Sequence, residues 1–169
     1  VGGYGSPPPR GRRPRGRASA ISCHTRGGES GSNGLIMDWN HKHLVLCQHG
    51  DRRVAKLNDD DKTFTTLADR YDGKRFNSPN DLVYGVNERL YFTDPPYGLE
   101  KGADDPKREM NYCGVYLLTK DGKVTLLTKD LTRPNGIAIS MDEQTLYVMA
   151  LDQVDQSPYR GKVYAIPSR

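Results

Sequence analysis

The sequence predicts an all-β fold, a β-propeller of which about three four-stranded blades are present. Three observations support this prediction. Short apolar runs separated by turn residues follow one another from residue 31 onward, an Asn-containing tetrapeptide recurs at the head of such runs, and the recurrences are about one propeller blade apart. We therefore divide the chain into a leader, residues 1–30, and a partial propeller domain, residues 31–169.

The leader is rich in Gly, Pro, Arg and Ser and has no helical or strand periodicity, so we expect it to be disordered. It holds six of the chain's 25 Lys and Arg and one of its 21 Asp and Glu, which leaves 19 basic and 20 acidic side chains for the domain. The net charge of +4 therefore belongs to the leader. A nucleic acid partner for the domain has no electrostatic support, and no run of about 20 apolar residues suggests a membrane span.

The first predicted blade has four short strands joined by polar turns. They cover residues 34–38, 43–47, 53–57 and 64–67. The second blade repeats the pattern at residues 80–84, 89–93, 114–118 and 123–127. Asp121-Gly122 between the last two runs is a strong hairpin signal. The third copy begins at residues 135–139 and continues at residues 145–149 and 162–166.

The repeated tetrapeptides contain Asn33, Asn80 and Asn135, which are 47 and 55 residues apart. A polar insertion at residues 95–111 accounts for the longer second interval. Because the first strand of each blade lines the central channel, we predict that the three amides point toward one small volume. Amide oxygens are hard ligands that suit calcium. Asn-Gly and Asn-Asp are also ordinary turn sequences, so a turn role for each asparagine stays open.

Five stretches carry a specific resemblance. They are Ser32–Asp38 (SNGLIMD), Cys47–Val54 (CQHGDRRV), Arg75–Leu82 (RFNSPNDL), Tyr91–Leu99 (YFTDPPYGL) and Leu131–Val148 (LTRPNGIAISMDEQTLYV). Together they resemble the SMP-30/gluconolactonase/luciferin-regenerating-enzyme family, the regucalcin type of six-bladed propeller. The resemblance covers about residues 31–166.

The resemblance implies a divalent metal on the propeller axis, with Ca2+ favoured and Zn2+ or Mg2+ as alternatives. Asn135 matches a metal ligand of the family, and Asn80 with Asp81 matches an Asn-Asp pair at the metal or substrate. Related members use an arginine near this pair for substrate, which makes Arg75 a candidate. Tyr97 and His49 lie in loops that could wall the pocket, although a packed turn tyrosine and a surface histidine are the more ordinary interpretations.

The implied function is hydrolysis of a lactone or similar ester, with a cation polarising the ring carbonyl and water as the nucleophile. We predict Asp81 as the catalytic base, with Asn80, Arg75, Tyr97 and Asn33 as substrate-binding residues. Asn135 and Asn80 are the predicted metal ligands. The partner is then a small-molecule lactone or ester. A noncatalytic calcium-binding propeller, or an interaction propeller of the NHL type, is the alternative, because a fold does not fix a function.

The sequence departs from the family pattern at both ends. No Glu-Gly-Pro motif precedes Asn33, and the sequence ends at Arg169 before a later Asp-Gly motif. The family's glutamate and aspartate ligands are expected at those motifs. Since calcium affinity depends on the number of charged ligands, we expect a fragment with an incomplete site.

Overall fold

The computed structural model describes residues 31–152 and 160–169. The predicted leader, residues 1–30, lies outside the described residues. The first sheet is an antiparallel meander in the order β1-β2-β3-β4. Its strands are β1 (Ser32–Met37), β2 (Leu44–Gln48), β3 (Arg53–Leu57) and β4 (Phe64–Ala68).

The second sheet is also a four-stranded antiparallel meander. It consists of β7 (Leu82–Tyr84), β8 (Leu90–Asp94), β9 (Gly114–Leu118) and β10 (Val124–Thr128). The connection from β8 to β9 contains a short 3-10 helix at Gly102–Asp104. The predicted insertion is therefore an ordered loop between two neighbouring strands of one sheet.

The third sheet has three strands among the described residues, rather than the four of a complete blade. They are β11 (Pro134–Ile139), β12 (Thr145–Asp152) and β13 (Arg160–Pro167). All eleven predicted strands are thus present, with ends shifted by a few residues. The runs are short, contain apolar residues and are bounded by turn residues, which is why their positions could be predicted.

A two-stranded hairpin connects the first two sheets, and the sequence pattern did not indicate it. It comprises β5 (Arg70–Tyr71) and β6 (Lys74–Arg75). Both turn residues, Asp72 and Gly73, have positive φ, as two-residue hairpin turns of the primed types require. Strands of two residues are too short to show an alternation.

Two apolar cores separate the sheets, and the second sheet lies between them. On β8, Leu90 and Phe92 belong to the core shared with the first sheet, whereas Tyr91 belongs to the core shared with the third. Phe76 and Tyr116 pack against Phe92 with ring centroids 5.1 and 5.3 Å away. Burying each of these rings contributes about 1.5–3 kcal/mol.

The predicted all-β fold is confirmed, with consecutive antiparallel sheets packed face to face as blades are. The first strands of the three sheets are neighbours, since β7 contacts both β1 and β11. The asparagine repeats therefore lie on, or just before, three adjacent strands. Among the described residues, no helix is long and apolar enough to cross a membrane.

Candidate functional site

Two of the repeated asparagines lie in β-bulges of the first strands. The bulge of β1 contains Asn33 and Gly34, and the bulge of β11 contains Asn135 and Gly136. In both places the first strand has one residue more than the facing part of its neighbour. Bulges of this kind redirect side chains and are enriched beside functional sites. The Asn-Gly steps are thus strand irregularities and not the hairpin turns that their composition allows.

The third asparagine has a matching arrangement at the head of β7. The amide of Asn80 donates to the carbonyl of Thr93 at 2.8 Å, and the amide of Thr93 donates to the carbonyl of Asp81 at 3.0 Å. Two successive residues therefore face one residue of β8. Asn33, Asn80 and Asn135 occupy comparable places in the three sheets, as the repeat predicts.

Asn80 and Asp81 together join the three first strands. The Oδ2 of Asp81 accepts a 2.9 Å hydrogen bond from the amide of Ile137 on β11. On the other side, the amide of Gly34 on β1 donates to the carbonyl of Asn80 at 2.7 Å. Gly34 is required for this approach, because a Cβ there would lie 2.6 Å from Asp81 Oδ1 and 2.8 Å from the Asn80 carbonyl oxygen.

Thr93 makes the second link between the sheets. Its Oγ1 donates to the carbonyl of Asn135 at 2.6 Å and accepts from the amide of Asp81 at 3.2 Å. The side chain of Thr93 is fully buried, whereas its partners Asp81 and Asn135 are half-buried. A single hydroxyl thus fixes the backbones of Asp81 and Asn135 relative to each other.

His49 lies against the side chain of Asn80. Its Nε2 is 3.4 Å from Asn80 Nδ2, and Asn80 is only 2% exposed. Burial lowers the pKa of His49, which favours the neutral imidazole. With Nδ2 facing an acceptor nitrogen, the Oδ1 of Asn80 points away from His49. The surface position that was one interpretation of His49 is wrong, because the residue is buried.

A buried carboxylate supports the segment that leads to Asn80. Asp94 accepts the amide hydrogens of Asn77 and Ser78, both at 2.8 Å, on its two oxygens. The hydroxyl of Ser78 donates to the carbonyl of Pro95 at 2.6 Å. Burial raises the pKa of Asp94 to about 7, against the opposing effect of the two amide donors.

Arg52 also holds the segment before Asn80, through hydrogen bonds to backbone carbonyls. Its Nε donates to the carbonyl of Phe76 at 2.6 Å, and its Nη1 donates to the carbonyl of Lys107 at 2.9 Å. The residue is 6% exposed, so it acts as a buried crosslink between the Asn80 segment and the loop after β8. Hydrogen bonds from a charged group to buried carbonyls are among the stronger ones in proteins.

The structure brings some predicted residues together and separates others. Asn80, Asp81 and Asn135 share the contacts above, with Asn80 buried and Asn135 half-buried. Asn33 is on the neighbouring strand with an exposed side chain, and Tyr97 is half-buried in the loop after β8. Arg75 is part of the short hairpin, where its Nη2 donates to the carbonyl of Asp51 at 2.7 Å. Its role in substrate binding stays a prediction.

The donor set fits a hard cation in kind. Asn80, Asn135 and Asp81 offer amide and carboxylate oxygens, which suit Ca2+ better than Zn2+ because zinc sites are built mainly from histidine and cysteine. No group of three or more His, Cys, Asp or Glu side chains suited to a metal occurs within residues 31–152 and 160–169. Calcium takes about six to eight oxygens, so these three residues provide only part of a shell.

The sequence did not indicate the roles of Thr93 and Asp94. The available signal was a polar pair, Thr-Asp, ending an otherwise apolar strand of the second sheet. Both side chains are fully buried, and buried polar groups are nearly always hydrogen-bonded. A polar pair that ends a buried apolar strand therefore indicates hydrogen-bond partners in other segments of the chain.

Comparison with known proteins gives a consistent result. A family model described as SMP-30/Gluconolactonase/LRE-like region matches residues 16–164. A gluconolactonase of Zymomonas mobilis is 40% identical over 140 residues, which is 83% of this chain and 38% of that protein. The lactonohydrolase oryL of Aspergillus oryzae is 30% identical over 82 residues, covering 48% of this chain and 19% of that protein.

The fold has a close counterpart among solved structures. A gluconolactonase of Xanthomonas campestris superposes with a TM-score of 0.68 at 35% identity, covering 83% of this chain and 45% of that one. The chain therefore spans less than half the length of these relatives.

Proposed function

Because the chain belongs to the SMP-30/gluconolactonase/LRE-like family, we propose that the protein is a hydrolase that opens a lactone ring. The substrate class is a sugar lactone or a similar small ester, as the names of the relatives suggest. The chain spans 38% of the Zymomonas protein and 45% of the Xanthomonas structure, so the proposed activity is that of the whole protein.

One observation carries this proposal beyond the family resemblance. The segments that contain Asn80, Asp81 and Asn135 are joined by hydrogen bonds through Thr93 and Ile137, although they come from different sheets. Binding and catalytic sites need side chains held in fixed mutual positions, and hydrogen bonds between the segments that carry them contribute to this. The arrangement supports a shared site at this end of the first strands.

In this proposal Asn80 and Asn135 hold a divalent cation, with Ca2+ favoured by their amide oxygens. When bound, the cation would act as a Lewis acid that polarises the lactone carbonyl. Asn80 is suited to the role because its side-chain nitrogen Nδ2 faces His49. The side-chain oxygen Oδ1 is then available to coordinate the cation. The further ligands that a calcium shell needs are expected outside these residues.

Asp81 is the proposed base. Its Oδ2 is occupied by the amide of Ile137, so Oδ1 is the atom that orients the attacking water and takes its proton. Water adds to the carbonyl carbon, the ring C–O bond breaks, and the proton returns to the ring oxygen to give a hydroxy acid. Asn33 and Tyr97 are proposed to contact the sugar hydroxyls.

The proposal is tested by assaying D-glucono-1,5-lactone hydrolysis by the protein in its full natural length. Acid release is followed with a pH indicator before and after treatment with a chelator, and again after adding back Ca2+. We expect activity that is lost on chelation and restored by calcium. Calcium binding without any lactone hydrolysis would instead support a noncatalytic propeller and reject the enzyme.

A further inference from the structure

A second polar feature lies at the same end of the sheets as Asn80 and Asn135. It is a cavity of about 370 Å3 between the loop that joins β8 to β9 and the segment that joins β10 to β11. The placement follows from the strand directions, because β8 ends at Asp94, β9 begins opposite it at Gly114, and β11 begins at Pro134. We call it the loop cavity.

The loop cavity is rich in positive charge. Arg108, Lys129 and Arg133 line it, and Asp130 is the acidic residue in the lining. Among the described residues, none of the three cations is within ion-pair distance of a carboxylate. Asp130 is exposed, and its Oδ2 accepts from the hydroxyl of Thr128. The lining therefore has three basic side chains and one acidic one, whereas the domain as a whole has 19 basic and 20 acidic side chains.

Neutral groups hold two of these cations in place. Arg108 Nε donates to Asn77 Oδ1 at 3.2 Å, and its Nη1 donates to the carbonyl of Ala103 at 3.1 Å. Lys129 Nζ lies 5.8 Å from the centre of the Tyr112 ring, within the range of a cation–π contact. Side chains that are already ordered lose less entropy when they bind a ligand.

The cavity is also continuous in sequence with the proposed active site. Arg133 is two residues before Asn135, and Pro96, another lining residue, is followed directly by Tyr97. Two chain segments therefore contribute both to the cavity lining and to the proposed site.

We propose that the loop cavity binds a carboxylate or phosphate group, and that this group is carried by the lactone substrate. Guanidinium groups recognise both anions through paired N–H donors, and an ammonium adds a point charge. The substrate class is then an acidic sugar lactone, not a neutral one. The second half of the proposal rests on the proposed function, whereas anion binding by the cavity does not.

The first experiment measures anion binding directly. Inorganic phosphate and acetate are titrated separately into the 169-residue chain by calorimetry. The double variant Arg133→Gln, Lys129→Gln is compared with Arg70→Gln, Lys62→Gln, which removes two exposed charges outside the cavity. We expect the cavity variant to bind at least about tenfold more weakly and the control to match the unchanged chain.

The two titrants separate the two anions. Binding of phosphate alone would indicate a phosphorylated lactone. Binding of both phosphate and acetate would indicate that a carboxylate on the lactone is enough for recognition. If neither titrant binds, or if both variants bind like the unchanged chain, the cavity proposal is overturned. Thermal melting of the variants shows that a loss of binding does not come from a loss of fold.

The second experiment separates this proposal from the proposed function. The whole protein is assayed with neutral D-glucono-1,5-lactone, with D-glucaro-1,4-lactone, which keeps a free carboxylate at C6, and with 6-phospho-D-glucono-1,5-lactone. We expect kcat/KM to be at least about tenfold higher for the substrate whose anion binds, and this preference to disappear in the cavity variant. Anion binding without any lactone hydrolysis rejects the enzyme and leaves the anion site. Hydrolysis without anion preference rejects the acidic substrate.

Discussion

The hydroxyl of Thr93 donates a 2.6 Å hydrogen bond to the carbonyl of Asn135, and in this way β8 of the second sheet is fastened to β11 of the third. The same oxygen accepts the amide of Asp81. A small side chain with no obvious chemistry thus sets the relative positions of two proposed site residues that are 54 residues apart in the sequence.

The first prediction concerns this hydroxyl. Thr93→Val keeps the shape of the side chain and removes both hydrogen bonds, so the carbonyl of Asn135 and the amide of Asp81, both half-buried, lose this partner. We expect a loss of about 1–3 kcal/mol in the free energy of unfolding, measured by urea titration. Thr93→Ser retains the hydroxyl and should lose clearly less. Equal effects of the two substitutions would mean that Thr93 acts by packing alone.

The second prediction concerns the close approach of β1 to Asp81. Gly34→Ala places a Cβ within 2.8 Å of three atoms, two of them backbone atoms of Asn80 and Asp81, so the strands must separate. We expect a destabilisation of about 1–3 kcal/mol, typical of overpacking, and faster exchange of the Gly34 amide hydrogen. Gly31→Ala is the control, because a Cβ there meets nothing within 4 Å. Similar melting temperatures for both variants would contradict the account.

The third prediction is the pH dependence that Asp94 gives to stability. Burial raises the pKa of Asp94 to about 7 from 3.8, so the folded state retains a proton that the unfolded state releases. Its contribution to stability is present below pH 3.8 and is lost as the pH rises to 7, at about 1.4 kcal/mol per pH unit within that window.

The measurement is the urea midpoint at several pH values between 4 and 7. Asp94→Asn cannot titrate, so its stability should fall less with rising pH than that of the unchanged chain. Asp104→Asn, on the exposed 3-10 helix, should follow the unchanged chain. A parallel pH profile for Asp94→Asn would show that the Asp94 carboxyl keeps an ordinary pKa.

The fourth prediction concerns a histidine between two turns of the first sheet. His43 contacts Asp38 through Nδ1 and Asp59 through Nε2, both at 2.8 Å, and these bonds raise its pKa. The two contacts of protonated His43 therefore stabilise the fold below about pH 6.5. Their contribution disappears as the pH rises through the folded-state pKa of His43.

An NMR titration of the His43 ring protons tests this. Asp59→Asn should lower the titration midpoint, because the second carboxylate partner is removed. Asp61→Asn, which changes an exposed neighbour in the same turn, should leave it nearly unchanged. If Asp59→Asn leaves the titration midpoint of His43 unchanged, the contact between His43 and Asp59 does not persist in solution.

Much of the fold could be predicted because its strands are local patterns. The alternating runs and the Asp121-Gly122 turn depend on neighbouring residues, and each was found within a few residues of its true ends. The equivalence of Asn33, Asn80 and Asn135 could also be predicted, because a repeat in sequence becomes a repeat in space.

The supporting contacts could not be predicted, because they join residues from distant parts of the chain. Nothing near Asp94 in the sequence indicates that it meets the amides of Asn77 and Ser78, and nothing near Arg52 indicates its carbonyl partners. The bulges were also hidden, because Asn-Gly is equally typical of a hairpin turn. These features depend on how sheets pack, which composition does not encode.

The central claim is that Asn80 and Asn135 act together in one site, and one comparison tests it most directly. The value of kcat/KM for D-glucono-1,5-lactone is measured in the whole protein for Asn135→Ala and Asn80→Ala, with Asn40→Ala as a control at an exposed turn. We predict a loss of at least about 100-fold for each site variant, near the effect of removing one group that stabilises a transition state, and no loss for the control. Activity within about twofold of the unchanged protein in either site variant, at an unchanged melting temperature, would contradict the account.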